Sequence, residues 1–459
     1  MKNNIIYGKD IYSKIIFGAV CVILFLPIIV IPPAFHPSDW TRIIALKIIL
    51  VCLSIFLLYL FFYKKNTVFY LPEKGWLFYG PIAMLGLYYL VMVISTVFSQ
   101  DPRLSIFGSP ARSGGIANLL FFILFSFFLA VFIKEEDWHK LIKVNFIPGV
   151  LSSLLAIIQY FGLFKKIFIG FETGATPSFL GNSTFLAIYM VFMVFTSLAF
   201  VFLEKSAIKK AGFLLLFLLF LFTIFITGSR AAYIGIILGL AFYFFFYPKK
   251  LAGDNEILFN WINPKRLKIF RMLSLALIIL AILFLAYVNT VKKLPDFIED
   301  NKRLSYFFHN RLSFEVVSRD LLETRLAVWK IAFKAIKEKP VLGWGPENFD
   351  ISFEKYYDPA LPNMQRLWWD RPHNVLLEVF VNSGIFAFVF YITFWIAILW
   401  QLQIFKKKNE DKKNMLQAHS LQAMFIGYLA VLFFNFDSFS TYLISFFFIG
   451  YALHLLSLN

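Results

Sequence analysis

Charged side chains are scarce in this chain: Asp, Glu, Lys and Arg supply 15% of its 459 residues, against about a quarter in soluble domains. That shortage excludes an ordinary soluble globular protein, whose apolar runs break every few positions. Cysteine is nearly absent. Cys21 and Cys52 both fall inside apolar runs, which argues against a structural disulfide or a zinc site. Strand-like alternation is missing too, which argues against a transmembrane barrel. No His, Asp or Glu cluster has metal-ligand spacing, and neither a Walker-type phosphate loop nor an HExxH pattern occurs.

Apolar length fills the gap. Sixty per cent of the residues are hydrophobic and a fifth are aromatic, and runs of about 20 apolar residues recur, each able to cross the hydrocarbon core as a helix. The expected fold is an all-α membrane protein of about twelve spans. They are placed at 15–32, 44–63, 76–98, 115–133, 141–164, 184–203, 211–227, 231–247, 272–290, 374–401, 421–436 and 441–456. The formal charge of +17 does not mark a nucleic-acid binder, because the cations sit in short segments between spans and form no basic stripe with interleaved aromatics. Lys64, Lys65 and Lys74, then Lys134 and Lys140, then Lys205, Lys209 and Lys210 occupy successive even-numbered connections. Lys249, Lys250, Lys265, Arg266, Lys268 and Arg271, and finally Lys406–Lys408 with Lys412 and Lys413, continue the pattern. By the positive-inside rule this predicts an inner-membrane protein with both termini cytoplasmic and a first span that is retained.

Three segments follow: residues 1–290 with spans one to nine, 291–373 as a large outer loop, and 374–459 with spans ten to twelve. In the loop, 313–337 reads as an amphipathic helix, with Leu321, Leu322, Leu326, Trp329 and Phe333 at helical spacing among charges. Polar groups beside apolar spans are costly unless paired or solvated, so they are the functional candidates. Arg230 lies in the very short connection TGSRAAY, Arg112 in FGSPARSGG, Arg325 on the loop helix, and His373 in WWDRPHNVLLE ahead of span ten. Singly, each has a plainer explanation: an arginine snorkelling to lipid phosphates, a solvated helix charge, a histidine at a helix start. Asn374 and Glu378 suit a helix start as well, and Glu378, inside the next apolar run, needs a partner. Together the residues converge on the outer leaflet. Arginine forks match phosphate oxygens and histidine takes a proton near neutral pH, a combination suited to a lipid phosphate and an acceptor hydroxyl.

The stretches TGSRAAYIGIILGL, RLAVWKIAFKAIKEKPVLGWGPENF and DRPHNVLLEVFVNSGIFAFVFYI, with the earlier FGSPARSGGIANLL and FLGNSTFLAIYM, resemble the bacterial O-antigen ligase and O-antigen polymerase superfamily. The resemblance runs from about Ile106 onward. It implies a metal-independent, cofactor-free glycosyltransferase that moves a glycan from undecaprenyl diphosphate to an acceptor hydroxyl at the periplasmic face. It further implies Arg230, Arg325 and Arg112 as diphosphate ligands and His373 as general base, with Asn374 and Glu378 in support. The expected partners are the lipid-linked glycan donor, a lipid or glycan acceptor and membrane lipids. Ligation onto lipid A–core is the first reading; polymerisation, transfer to a protein hydroxyl, and, in another class, a lipid-linked oligosaccharide flippase stand beside it.

Overall fold

The computed structural model describes residues 10–29, 38–64, 75–109, 112, 114–163, 176–251, 323–357 and 369–458, with isolated positions between 268 and 305. Every regular element among the described residues is helical. Nine of the described helices are long and apolar enough to cross a membrane, and two shorter apolar ones, Ile116–Phe132 and Arg230–Phe245, accompany them. The chain is an all-α, multi-pass membrane protein.

The first eight predicted spans are found in order. They are α1 (Asp10–Phe25), α2 (Ser38–Tyr59), α3 (Trp76–Val97), α5 (Ile116–Phe132), α6 (Glu135–Tyr160), α7 (Ser183–Leu203), α8 (Ala207–Thr227) and α9 (Arg230–Phe245), with a short α4 (Pro102–Phe107) before α5. The predicted ninth span, 272–290, lies largely outside the described residues, as do 306–322 and with them the first turns of the predicted loop helix. The remainder of that helix is α10 (Glu323–Glu338), followed by the short α11 (Phe349–Lys355). Three long helices close the chain: α12 (Val375–Lys408), α13 (Lys412–Leu432) and α14 (Phe439–Ser457).

One boundary differs instructively. α13 begins well before the predicted residue 421 and ends at Leu432 rather than 436. The Asp411 carboxylate caps it by accepting from the Lys413 N–H at 2.8 Å. The polar residues at and just ahead of the predicted start find partners indoors. Ser420 donates to the Leu416 carbonyl, Gln422 to the Leu399 carbonyl, and His419 Nε2 lies 2.8 Å from the Tyr243 carbonyl.

The middle of the bundle is α7 and α14, each with 94% of its apolar window buried, while α2 and α8 turn Ile48, Ile55, Leu58 and Leu215 outward, toward lipid. In lipid, apolar burial gives helices little reason to associate, and close backbone packing takes over. α9 and α13 use it: a Cβ on Gly235 would meet the Gly427 carbonyl at 2.6 Å, and one on Gly239 the Ala423 carbonyl at 2.9 Å.

α12 is broken at Gly384, whose φ of 76° and ψ of −174° are non-helical. The break frees carbonyls, and the turn after α10 fills it. Trp344 N–H donates to Val381 O at 2.9 Å, Gly345 N–H to Asn382 O at 2.8 Å, and Ile385 N–H to Pro340 O at 2.9 Å. Ser95 Oγ on α3 donates to the Leu342 carbonyl at 2.6 Å. The two backbones approach so closely that a Cβ on Gly384 would overlap the Val341 carbonyl, and the positive φ alone disfavours any other residue. Gly384→Ala is therefore expected to lower the thermal midpoint of the detergent-purified protein. Gly86→Ala on α3, where a Cβ meets nothing within 4 Å, should leave it unchanged; equal midpoints for both variants would contradict this account of the break.

Candidate functional site

Because successive spans alternate direction, the ends of α3 and α8, the starts of α5, α9, α12 and α14, and the 433–438 link share one end of the bundle. Lysine-rich connections such as Lys406–Lys408 collect at the other. α10 docks on the first end: Trp329 Nε1 donates to the Pro372 carbonyl at 3.0 Å, and its ring meets Phe433 edge-on.

His373 sits beneath that contact, between the rings of Trp369 and Phe436, with centroids 4.5 and 4.8 Å away. Its φ of 52° lies in the left-handed region, uncommon for a residue with a Cβ. Nδ1 is 3.1 Å from the Arg371 carbonyl. A carbonyl only accepts, so Nδ1 carries the hydrogen and Nε2 is left with its lone pair. Burial, and then the positive field of Arg325 and Arg112, push the imidazole down to about 4, opposed in part by the Arg371 carbonyl and Asp370. The ring is neutral at physiological pH.

The residues that fix this geometry are ones the sequence reading passed over. Arg371, its side chain 5% exposed, donates from one Nη to Glu347 at 2.6 Å and from the other to Glu378. Burial works against its charge, yet the two carboxylates raise its pKa above the ordinary arginine value. Glu347 also has a positive φ, 65°, held in the turn that fills the α12 break. Glu378 thus has the partner its position demanded. Asn374 caps α12 instead of touching the imidazole, accepting from Leu376 N–H at 2.9 Å and Leu377 N–H at 3.1 Å. Asp370 and Arg371 stood in the WWDRPHN motif and Glu347 in GWGPEN; what the sequence withheld was that one guanidinium joins the two motifs.

The three candidate arginines take different positions. Arg112 forks onto Asp370, Nε to Oδ2 at 2.6 Å and Nη2 to Oδ1 at 3.0 Å, with its guanidinium 4.9 Å from the Phe436 ring centre. Burial opposes ionisation of Asp370, but Arg112, by hydrogen bond and charge, and then Arg371 hold its carboxyl below the usual range. Arg325 on α10 is depressed by burial and then by the like charge of Arg230, and its Nε is buried with no hydrogen-bond partner among the described residues. The structure therefore brings Arg230 at the start of α9 within electrostatic range of Arg325, and Arg325 within range of His373. Two half-buried guanidiniums that repel each other suit an anion. Among the described residues no group of three or more His, Cys, Asp or Glu is placed to hold a metal ion.

This is a multi-pass helical membrane protein that gathers arginines around a neutral histidine, under a capping helix, at one end of its bundle. Residues 215–392 match the family model described as O-antigen ligase. It is similar to the teichuronic acid biosynthesis protein TuaE of Bacillus subtilis, 25% identical over 245 residues that cover 52% of this chain and 44% of the relative. It is also similar to the ComP-specific O-oligosaccharyltransferase of Acinetobacter baylyi, 22% identical over 256 residues, 55% of this chain and 40% of the relative. The chain thus spans less than half the length of these curated relatives. Arg230, Arg325, His373, Asn374 and Glu378 fall inside the family match, and Arg112 outside it.

Proposed function

We propose that this protein is a glycosyltransferase of the bacterial inner membrane, with both termini cytoplasmic and the arginine–histidine site on the periplasmic side. It takes a glycan from undecaprenyl diphosphate and transfers it to an acceptor hydroxyl without a metal. The observation that carries this reading is the neutral His373, its Nε2 lone pair available, set within the field of Arg325 and Arg112. The diphosphate docks between Arg230 and Arg325. His373 Nε2 accepts the proton of the acceptor hydroxyl as its oxygen attacks the anomeric carbon. The bond from that carbon to the phosphate oxygen breaks, and the guanidiniums stabilise the charge gathering on the departing lipid diphosphate, which later recovers the proton. α10 covers the reaction. The lysine-rich opposite end supports the orientation.

Ligation onto lipid A–core is the first reading. The relatives' names attach to different products, teichuronic acid and a protein-linked oligosaccharide, so the acceptor is what the test varies. The purified protein in liposomes is given undecaprenyl-diphosphate-linked glycan, EDTA, and each acceptor separately: lipid A–core, a second lipid-linked glycan, or a hydroxyl-bearing protein. Acceptor-dependent release of undecaprenyl diphosphate supports the transferase and identifies the acceptor. Movement of intact lipid-linked glycan between leaflets, with no turnover on any acceptor, would replace it with a flippase. Arg230→Ala and Arg325→Ala are each expected to lower kcat by about 10²-fold, the scale for loss of one charge-stabilising donor. An effect on KM alone would mean that the arginine only binds donor.

A further inference from the structure

Beneath the Arg371 cluster lies a cavity of about 90 Å³ between α3, α5, α12, α13 and α14, to which the proposed transfer assigns no role. Its wall is unusually polar for the inside of a membrane bundle: Glu378, Asn382, Ser383 and Asp437 line it together with Tyr88, Tyr391, Tyr428 and Tyr442. Three side-chain oxygens on one stretch of α12 are buried with no hydrogen-bond partner among the described residues: Glu378 Oε2, Asn382 Oδ1 and Ser383 Oγ. The residues that carry them are 8%, 6% and 1% exposed. Glu378 and Asn382 are one turn apart, so both project from the same face of the helix, just ahead of the break at Gly384.

Charge is also out of balance. Arg371 is shared by Glu347 and Glu378, while Asp437, 4% exposed, accepts the Tyr428 hydroxyl at 2.8 Å and has no ion pair among the described residues. Three carboxylates thus face one guanidinium in a region of low dielectric, where uncompensated charge is expensive. Water in the cavity would satisfy hydrogen bonds and leave the charge. A cation answers both needs, since all three orphan atoms are oxygens, the hard donors that alkali and alkaline-earth ions take. A divalent ion suits the site poorly. It takes six or more oxygens with several carboxylates among them, and here Glu378 has one oxygen committed to Arg371 while Asp437 is engaged by Tyr428.

We propose that the cavity is a binding site for a single alkali-metal cation, with Glu378, Asn382 and Ser383 as its side-chain ligands and Asp437 as the second negative charge. The ion neutralises the cluster that anchors Arg371, and so supports the site from below without touching substrate.

The test uses the purified full-length protein in detergent, at one pH near neutrality and constant ionic strength, in sodium, potassium or choline chloride. The thermal midpoint is expected to rise by about 2 °C for each tenfold increase in the preferred alkali ion above its dissociation constant, with choline inert. Radiolabelled sodium should bind at one ion per chain in a scintillation proximity assay; if potassium is the native ion, unlabelled potassium displaces it at lower concentration than unlabelled sodium. Ser383→Ala and Asp437→Asn should weaken that binding at least tenfold. Glu378→Gln need not fold for the test to succeed, because the wild-type ion dependence is read first. Identical midpoints in all three salts, with no saturable ion binding, would overturn the proposal and leave protons as what neutralises the carboxylates. Neither readout involves glycan transfer, so the outcome is independent of the transferase reading.

Discussion

His373→Ala is expected to reduce turnover by about 10³-fold, within the range for removal of a positioned general base, while leaving the thermal midpoint close to that of wild type. The imidazole packs between the rings of Trp369 and Phe436, and Trp329, which ties α10 to this end of the bundle, reaches the carbonyl of Pro372, not the histidine ring. The pH profile provides the sharper measurement. A base must be unprotonated to act, so activity is retained above its pKa and lost as pH falls through it. With the free imidazole held down to about 4, kcat/KM should be flat from neutrality to about pH 5 on its acid side and fall only below that. Docked diphosphate offsets the positive charge of Arg325 and Arg112, two of the causes of the depression. The acid limb of kcat, which reports the bound complex, should therefore lie at higher pH than that of kcat/KM. Coincident limbs near 6.5, the ordinary histidine value, would mean that the ring is neither buried nor in the arginines' field as described here.

The helical class and the order of the described spans were legible because crossing the bilayer demands about 20 apolar residues at a time, a signal strong enough to survive a few polar interruptions. Boundaries were less so at α13, where His419 and Ser420 stood ahead of the predicted start yet found partners on α9 and on the preceding turn; hydropathy counts polar atoms and cannot see who receives their hydrogen bonds. The candidate site divides in the same way. Arg230 and His373 could be singled out because each stood at the edge of an apolar run, and Arg325 as a charge on the loop helix; the structure places Arg325 within the field of Arg230, and His373 within that of Arg325. Arg371 and Glu347 escaped, since their pairing joins positions 24 residues apart through a break in α12 that depends on one glycine and the inserted turn. Asn374 was visible as a residue but ambiguous in role, and its carboxamide turns out to serve the helix start.

Arg371→Met should have the largest effect on stability of any substitution around the site. It removes the guanidinium shared by Glu347 and Glu378 and leaves both carboxylates buried, each side chain 11% exposed. Removing one partner of a buried ion pair costs about 3–5 kcal/mol, because the charge left behind has lost its compensation. Glu347→Gln alone should cost much less, since Arg371 keeps Glu378 and the amide oxygen still accepts a hydrogen bond. In Arg371→Met/Glu347→Gln one stranded charge is gone, so the double variant should be more stable than Arg371→Met. That sign reversal is the signature of a coupled pair in a double-mutant cycle, read from chemical- or heat-denaturation midpoints in detergent. The same cycle separates two roles for Arg371. Its side chain carries the ion pairs, while its backbone carbonyl holds His373 Nδ1, and a side-chain substitution reaches the imidazole only by moving that carbonyl. If the double variant recovers stability without activity, the guanidinium is needed to place the carbonyl and with it Nε2. If both return together, charge compensation is its whole contribution. Additive losses across the cycle would show instead that the two glutamates do not share Arg371.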